Sequence, residues 1–292
     1  MRIVERENTW TVLAPAKLNL FFEVHSKRKD GFHEITSLTC PIDRYDTLTF
    51  RPTDNDVVDF DCVGGEVDVP TDDTNIVVRA LKLLKWETGI KRGAIVRLTK
   101  RIPSRAGLGG GSSDASAALT VANRGWRLGL STEELCRLAS TIGSDCPIFF
   151  QPGASICRGR GEIIEPIELP RLHFVVLKPP DGLSTAAVYA ECMKHHDGNV
   201  RQLESVLESL KQGDLGKFGR CLFNRLEFPA AAIWSGFEET KRLVERVDCL
   251  AVRMSGSGTA FFGLCRDAQY ARSVTEILSC LAPSTLVFRA RS

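Results

Sequence analysis

The stretch Lys100-Arg101-Ile102-Pro103-Ser104-Arg105-Ala106-Gly107-Leu108-Gly109-Gly110-Gly111-Ser112-Ser113-Asp114-Ala115 constrains this chain more than any other. It joins an alternating run, Ala94-Ile95-Val96-Arg97-Leu98, to the helix formers of 115–122. The order is strand, glycine-rich bend, helix N-terminus. Glycine admits backbone conformations that a Cβ forbids, so successive N–H groups can turn toward one anion. A helix that follows directs its free N–H groups and positive dipole end to the same point. The pattern reads as a phosphate cradle. A flexible turn with an ordinary Ser or Asp cap is the alternative, but three adjacent glycines carry an entropy cost that stability alone does not justify. No Lys-Ser or Lys-Thr follows the glycines, and the spacing is not G-x-G-x-x-G, so the cradle belongs to another nucleotide-binding design.

The 292 residues suffice for one large domain or two ordinary ones, and 43% hydrophobic with 25% charged residues is a globular balance. The 38 basic and 36 acidic side chains leave a net charge of +2, which excludes a global field for nucleic acid or anionic membrane. The charged stretch Met1-Arg2-Ile3-Val4-Glu5-Arg6-Glu7 lacks the apolar core of a signal peptide, and no apolar run is long enough to span a bilayer. Ten cysteines without a C-x-x-C pair argue against a zinc or redox motif and for reduced thiols in the cytoplasm.

Two strands are expected early, at 9–13 and, after Ala14-Pro15-Ala16, at 17–24. Lys17, Asn19 and Phe21 share one face by the two-residue period. That face is either a polar pocket wall or a strand end in solvent. Lys27-Arg28-Lys29 reads as a solvated loop. Phe32 and His33 follow, two planar rings able to hold a flat ligand by stacking and a ring-nitrogen hydrogen bond, or simply to pack. A strand at 45–50 and hairpins at 54–70 precede a helix capped by Thr74 or Asn75 that runs to about Trp86.

Ser131-Thr132-Glu133-Glu134 is a capping box for a helix ending at Ile142. In Gly143-Ser144-Asp145-Cys146-Pro147, Asp145 sits in a bend before an expected apolar strand, either as a turn former or as an active-site carboxylate. A hairpin is expected at 153–161 and a buried strand at 172–177. Pro179-Pro180-Asp181-Gly182 marks a domain boundary, giving domains of 1–178 and 179–292. Helices dominate 184–247, with His195-His196 solvated at a helix end. The turn Ser255-Gly256-Ser257-Gly258 between two strands, a helix at 267–281 and a strand at 285–288 complete an α+β pattern.

Jointly, Ala14-Pro15-Ala16-Lys17-Leu18-Asn19-Leu20, Asp30-Gly31-Phe32-His33, the cradle, Gly143-Ser144-Asp145-Cys146-Pro147 and Ser255-Gly256-Ser257-Gly258 resemble the ordered signature blocks of the GHMP kinases. The resemblance implies an α+β GHMP kinase fold, with an N-terminal domain like domain 2 of ribosomal protein S5 and a C-terminal ferredoxin-like domain. It implies ATP as co-substrate with Mg²⁺, and an alcohol acceptor. The blocks are most similar to the branch acting on the 2-hydroxyl of a CDP-linked methylerythritol, in the non-mevalonate route to isoprenoid precursors. By the same resemblance Asp145 is the catalytic carboxylate and Lys17 its charged neighbour. ATP falls to Pro103, Ser104, Arg105, Ala106, Gly107, Leu108, Gly109, Gly110, Gly111, Ser112 and Ser113 with Asn75 and Lys100. Ser112 or Ser113 lies near the metal. The acceptor falls to Asn19, Phe32, His33, Thr185, Ser255, Gly256, Ser257 and Gly258. Partners are small molecules only, with no nucleic acid or membrane, for a monomer or homodimer. Phe32 stands where many relatives carry tyrosine, which keeps stacking and loses a hydroxyl. Another GHMP acceptor of mevalonate or homoserine type, or a catalytically silent regulator on the same scaffold, remain as alternative readings.

Overall fold

The computed structural model describes residues 1–65, 69–194 and 200–292. In chain order its elements are β1 (Arg2–Arg6), β2 (Thr9–Lys27), β3 (His33–Thr53), β4 (Val58–Gly64), α1 (Ile76–Thr88), β5 (Gly93–Lys100), α2 (Gly110–Gly125), α3 (Thr132–Ile142) and a 3₁₀ turn (Pro147–Phe150). There follow β6 (Ser155–Gly159), β7 (Ile163–Pro166), β8 (His173–Lys178), α4 (Thr185–Lys194), α5 (Glu204–Lys211), α6 (Leu215–Cys221), β9 (Phe223–Asn224), α7 (Glu227–Ile233), α8 (Phe237–Glu245), β10 (Ala251–Met254), β11 (Phe261–Cys265), α9 (Ala268–Leu281) and β12 (Leu286–Arg291). His195, His196 and part of 54–70 lie outside the described residues.

Two strands outrun their sequence patterns, and each does so through a proline. The sequence predicts a break at 14–16, yet β2 continues through Pro15. Proline disrupts a ladder only where a neighbour needs its missing N–H, and the ladder with β1 has ended at the pair Arg2↔Leu13. β3 continues through Pro41, which falls between the residues paired with β6, 35–39, and those paired with β5, 47–53.

The chain divides into two compact units that interleave along the sequence. One comprises Met1–Ala16, Arg44–Ser104 and Gly109–Pro152; the other comprises Lys17–Asp43, Arg105–Leu108 and Gly153–Ser292.

In the first unit β1 pairs antiparallel with β2, β3 antiparallel with β5, and β4 parallel with β5. Parallel neighbours need a crossover, and α1 supplies it. The core sets Ala94, Val96 and Leu98 of β5 with Val77, Leu81 and Leu84 of α1 and Ala118, Leu119 and Ala122 of α2. The same alternation turns Lys100 inward at the end of β5. Both expected caps form: Asn75 accepts from the Val77 amide, and Ser131 and Glu134 close a reciprocal capping box. Residues 147–150 form a 3₁₀ turn rather than the expected strand, because Pro147 fixes its φ at the first position.

In the second unit β6 and β7 form a hairpin that runs to Pro166, beyond the 153–161 expected, because its turn lies at Gly159 and Gly161, the end of that stretch, rather than in its middle. β6 is antiparallel to the early part of β3, and the short β9 runs parallel to β2. A separate antiparallel sheet has the order β10-β11-β8-β12. Strand β8, helices, β10, β11, α9 and β12 thus follow the β-α-β-β-α-β plan of a ferredoxin-like domain. Its core joins Val175, Leu177 and Phe261 to Trp234, Phe237 and Val244 and to Val274 and Leu278 of α9. The boundary expected at 178/179 falls directly after the central strand β8.

Candidate active site

Each unit carries its own group of candidate residues. In the first, α2 begins at Gly110, five residues before the helix formers that mark it in sequence, so half of the cradle is helix. Gly109 is the N-cap, left-handed at φ 70°, a conformation that costs a residue with a Cβ about 1–2 kcal/mol. No side chain caps this helix, which leaves its first amides to a ligand or to water. Ser112 is half-buried at that turn. Ser113 is fully buried, and its hydroxyl has no hydrogen-bond partner among the described residues.

Asp145, half-buried, follows α3 in a turn set against the same helix. The Ser116 hydroxyl donates to the Cys146 carbonyl at 2.7 Å, and a Cβ on Gly143 would stand 3.9 Å from the Ser112 oxygen. A carboxylate and the serines of the cradle, well separated in sequence, therefore share one corner of this unit. Burial pushes the Cys146 thiol up to about 12, so it stays protonated and is no nucleophile here. Asn75 is spent locally, accepting from Val77 at 2.8 Å and donating to the Pro70 carbonyl at 2.6 Å. Its helix nonetheless meets the cradle, since a Cβ on Gly111 would lie 3.7 Å from Ile76.

Lys100 is buried and its ammonium pairs with Asp46 and, at 2.7 Å, with Asp114. Burial opposes its charge, but the two carboxylates outweigh that and raise its pKa. Burial pushes the Asp114 carboxyl well above the usual carboxylate range, with Lys100 opposing and Asp46 adding to the rise. Pro103 is buried and Ser104 half-buried in the loop leaving β5.

In the second unit Lys17 and Asn19 are each 3% exposed, which settles their face as a buried polar wall rather than a strand end in solvent. The Lys17 ammonium donates to the Asn19 side-chain oxygen. The Asn19 amide donates to Ser37 at 2.8 Å and Thr39 at 3.2 Å, fixing its orientation. The 255–258 turn closes on this pair. Ser255 donates to the Gly107 carbonyl at 2.9 Å, and a Cβ on Gly256 would come within 3.2 Å of the Lys17 nitrogen. Ser257 bonds Thr185 at 2.9 Å, and a Cβ on Gly258 would strike the Met254 sulfur. Ala106 and Leu108 are buried, while Arg105, at φ 50°, lays its stem along Gly182.

Phe32 is 47% exposed, with the Arg160 guanidinium 4.6 Å from its ring centre. His33 stacks on Tyr189 of α4 at 5.2 Å between centroids, and its Nε2 has no hydrogen-bond partner among the described residues. Burial and the nearby Lys27 lower the His33 pKa, favouring the neutral ring. Sequence reasoning missed Asp46, Asp114, Ser37, Thr39 and Tyr189. Only the first two left a signal, because an inward-facing lysine on an apolar strand demands an anion.

Two family models match this chain: GHMP kinases N terminal domain over residues 75–153, and GHMP kinases C terminal over residues 206–283. The 4-diphosphocytidyl-2-C-methyl-D-erythritol kinase of Pelotomaculum thermopropionicum is 38% identical over 90% of this chain and 92% of its own length. That of Bacillus pumilus is 38% identical over 96% and 93%. A crystal structure of 4-(cytidine 5'-diphospho)-2C-methyl-D-erythritol kinase, 32% identical, aligns with a TM-score of 0.81 over 96% of this chain and 98% of that one. A mevalonate kinase from L. major, 16% identical with a TM-score of 0.78 over 99% and 96%, shares the fold. The chain belongs to the GHMP kinases, in the branch of the 4-diphosphocytidyl-2-C-methyl-D-erythritol kinases. GHMP kinases use ATP as co-substrate. No helix among the described residues is long and apolar enough to cross a membrane.

Proposed function

We propose that this protein transfers the γ-phosphoryl group of ATP to the 2-hydroxyl of 4-diphosphocytidyl-2-C-methyl-D-erythritol, in the non-mevalonate route to isoprenoid precursors. One observation carries the reading: the Asp145 turn is set against the uncapped N-terminus of α2, a carboxylate beside amides suited to phosphate. The identity of the relatives over nearly their whole length supports the acceptor.

Asp145 accepts the proton of the acceptor hydroxyl as its oxygen bonds to the γ-phosphorus and the bond to the bridging oxygen of ADP breaks. Lys17 supplies positive charge to the same step, and Asn19 holds its ammonium. Residues 103–113 bind the nucleotide, and Asn75 serves the same site by capping α1, whose first turn lies beside Gly111; Ser112 rather than buried Ser113 offers a hydroxyl to a metal. Among the described residues no group of three or more His, Cys, Asp or Glu gathers to hold a metal. Oxygen donors such as Ser112 and Asp145 fit Mg²⁺ arriving on nucleotide phosphates, where it would neutralise their charge. Phe32, neutral His33 and Tyr189 take the cytosine ring, with Thr185 and residues 255–258 completing the acceptor site. Residues 1–178 carry the nucleotide loop and the catalytic residues together with Asn19, Phe32 and His33, and 179–292 add the acceptor contacts of Thr185, Tyr189 and residues 255–258. The enzyme acts in the cytoplasm as a monomer or homodimer on small molecules.

Incubation with ATP and each acceptor, followed by mass analysis, tests the reading. Formation of ADP and a phosphorylated CDP-linked product is expected, whereas turnover of mevalonate or homoserine alone overturns it. Asp145→Asn is expected to lower turnover about a hundredfold or more while ATP still binds; unimpaired turnover removes Asp145 from the chemistry.

A further inference from the structure

The ion cluster at the end of β5 lies under the cradle, and its connections reach both ends of the loop. Asp46 accepts the backbone amides of Arg101 and, at 2.8 Å, of Ile102, the two residues at which the chain leaves β5. Its other oxygen meets the Lys100 ammonium. That ammonium also donates to Asp114 at 2.7 Å, and Asp114 stands in α2 just beyond the cradle serines. One lysine thus ties the strand exit to the start of the helix. Gly110 rests directly on it: a Cβ there would lie 2.9 Å from the Ile102 side chain and 3.2 Å from the Lys100 nitrogen. All three charged side chains are at least nine-tenths buried.

We infer that Asp46, Lys100 and Asp114 are positioning residues for ATP, a buried ionic clamp that sets the direction of the first α2 amides, and that Lys100 serves the cradle from beneath rather than touching the nucleotide. The inference rests on the cradle reading proposed above.

The cost of the arrangement argues for such a purpose. A buried ion cluster is rarely worth more than apolar packing of the same volume, so stability alone does not account for it. What it adds is direction, because short charge-assisted bonds fix both backbone segments at once. The Lys100 ammonium meets a carboxylate on each side, Asp46 from the strand exit and Asp114 from the helix. Asp114→Ala therefore leaves Lys100 paired one-to-one with Asp46 and introduces a strong helix former, so the variant is expected to fold.

Steady-state kinetics on Asp114→Ala, Asp114→Asn and Gly111→Val test the clamp. Asp114→Ala should raise KM for ATP by between about tenfold and a hundredfold, the cost of a small misplacement, with KM for the acceptor unchanged. Asp114→Asn, which keeps a side-chain oxygen to accept from Lys100, should recover most of that loss. An unchanged KM for ATP in Asp114→Ala, or an equal rise for both substrates, overturns the inference. Gly111→Val separates the two readings. If it abolishes ATP binding while Asp114→Ala does not, the clamp fails and the cradle stands; if neither affects ATP, both fail.

Discussion

Glycines in the two units answer different needs. In the second unit Gly107 and Gly256 are fitted into filled space: a Cβ on Gly107 would lie 1.9 Å from the Ser255 carbonyl oxygen, and one on Gly256 would press on Asn19 and Lys17. In the first unit Gly111 is exposed at the start of α2, with a single neighbour at an ordinary 3.7 Å. The first pair is required by the protein's own packing. Gly111 is not, and glycine there costs helix stability, so its reason lies with something that approaches the backbone from outside.

The contrast breaks if Gly107→Ala is tolerated. Its Cβ meets a backbone carbonyl that cannot swing away, so denaturant unfolding should show a loss of about 3 kcal/mol. A wild-type midpoint would mean that the 255–258 turn yields.

Gly256→Ala should act on turnover before stability. With φ at 53° and contacts at 3.1 and 3.2 Å to Asn19 and Lys17, the methyl displaces the ammonium, and kcat is expected to fall between about tenfold and a hundredfold. Unchanged kcat would remove Lys17 placement from the role of this turn.

The cradle should betray its ionic floor through pH. Asp114 has a folded pKa raised above its unfolded value, so its contribution to stability is complete below the ordinary carboxylate range and is lost as pH rises through the folded pKa. The slope is at most about 1.4 kcal/mol per pH unit, and Asp114→Asn should flatten it in urea melts taken across that range. Identical slopes would show that Asp114 holds no extra proton.

The smallest effect sharpens the comparison most. Gly111→Ala should raise stability by roughly 0.5–1 kcal/mol through helix propensity, yet weaken ATP binding in calorimetry, as the proposed phosphate cradle requires. Higher stability with unaltered ATP affinity would leave Gly111 without a functional reason.

Much was legible before any coordinates. Caps at Asn75 and at Ser131 with Glu134, the alternation of β5 and the glycine bend are local patterns, written by residues within a turn or two of one another. Those patterns, with the signature blocks around Lys17, Asp145 and Ser255, were enough to indicate the family and its α+β fold. Pro15 misled because the effect of a proline depends on which neighbour is present, and here the ladder with β1 has already ended at Leu13.

The sequence by itself determined the elements, the cradle and the family. Tertiary structure decided the rest: that Lys100 lies under the cradle between Asp46 and Asp114, that the Asp145 turn meets Ser116, and that His33 finds Tyr189. The reason is one of range. Helix caps and strand periods depend on a few successive dihedrals and side chains, whereas a buried charge acquires its meaning only from the opposite charge that folding brings beside it.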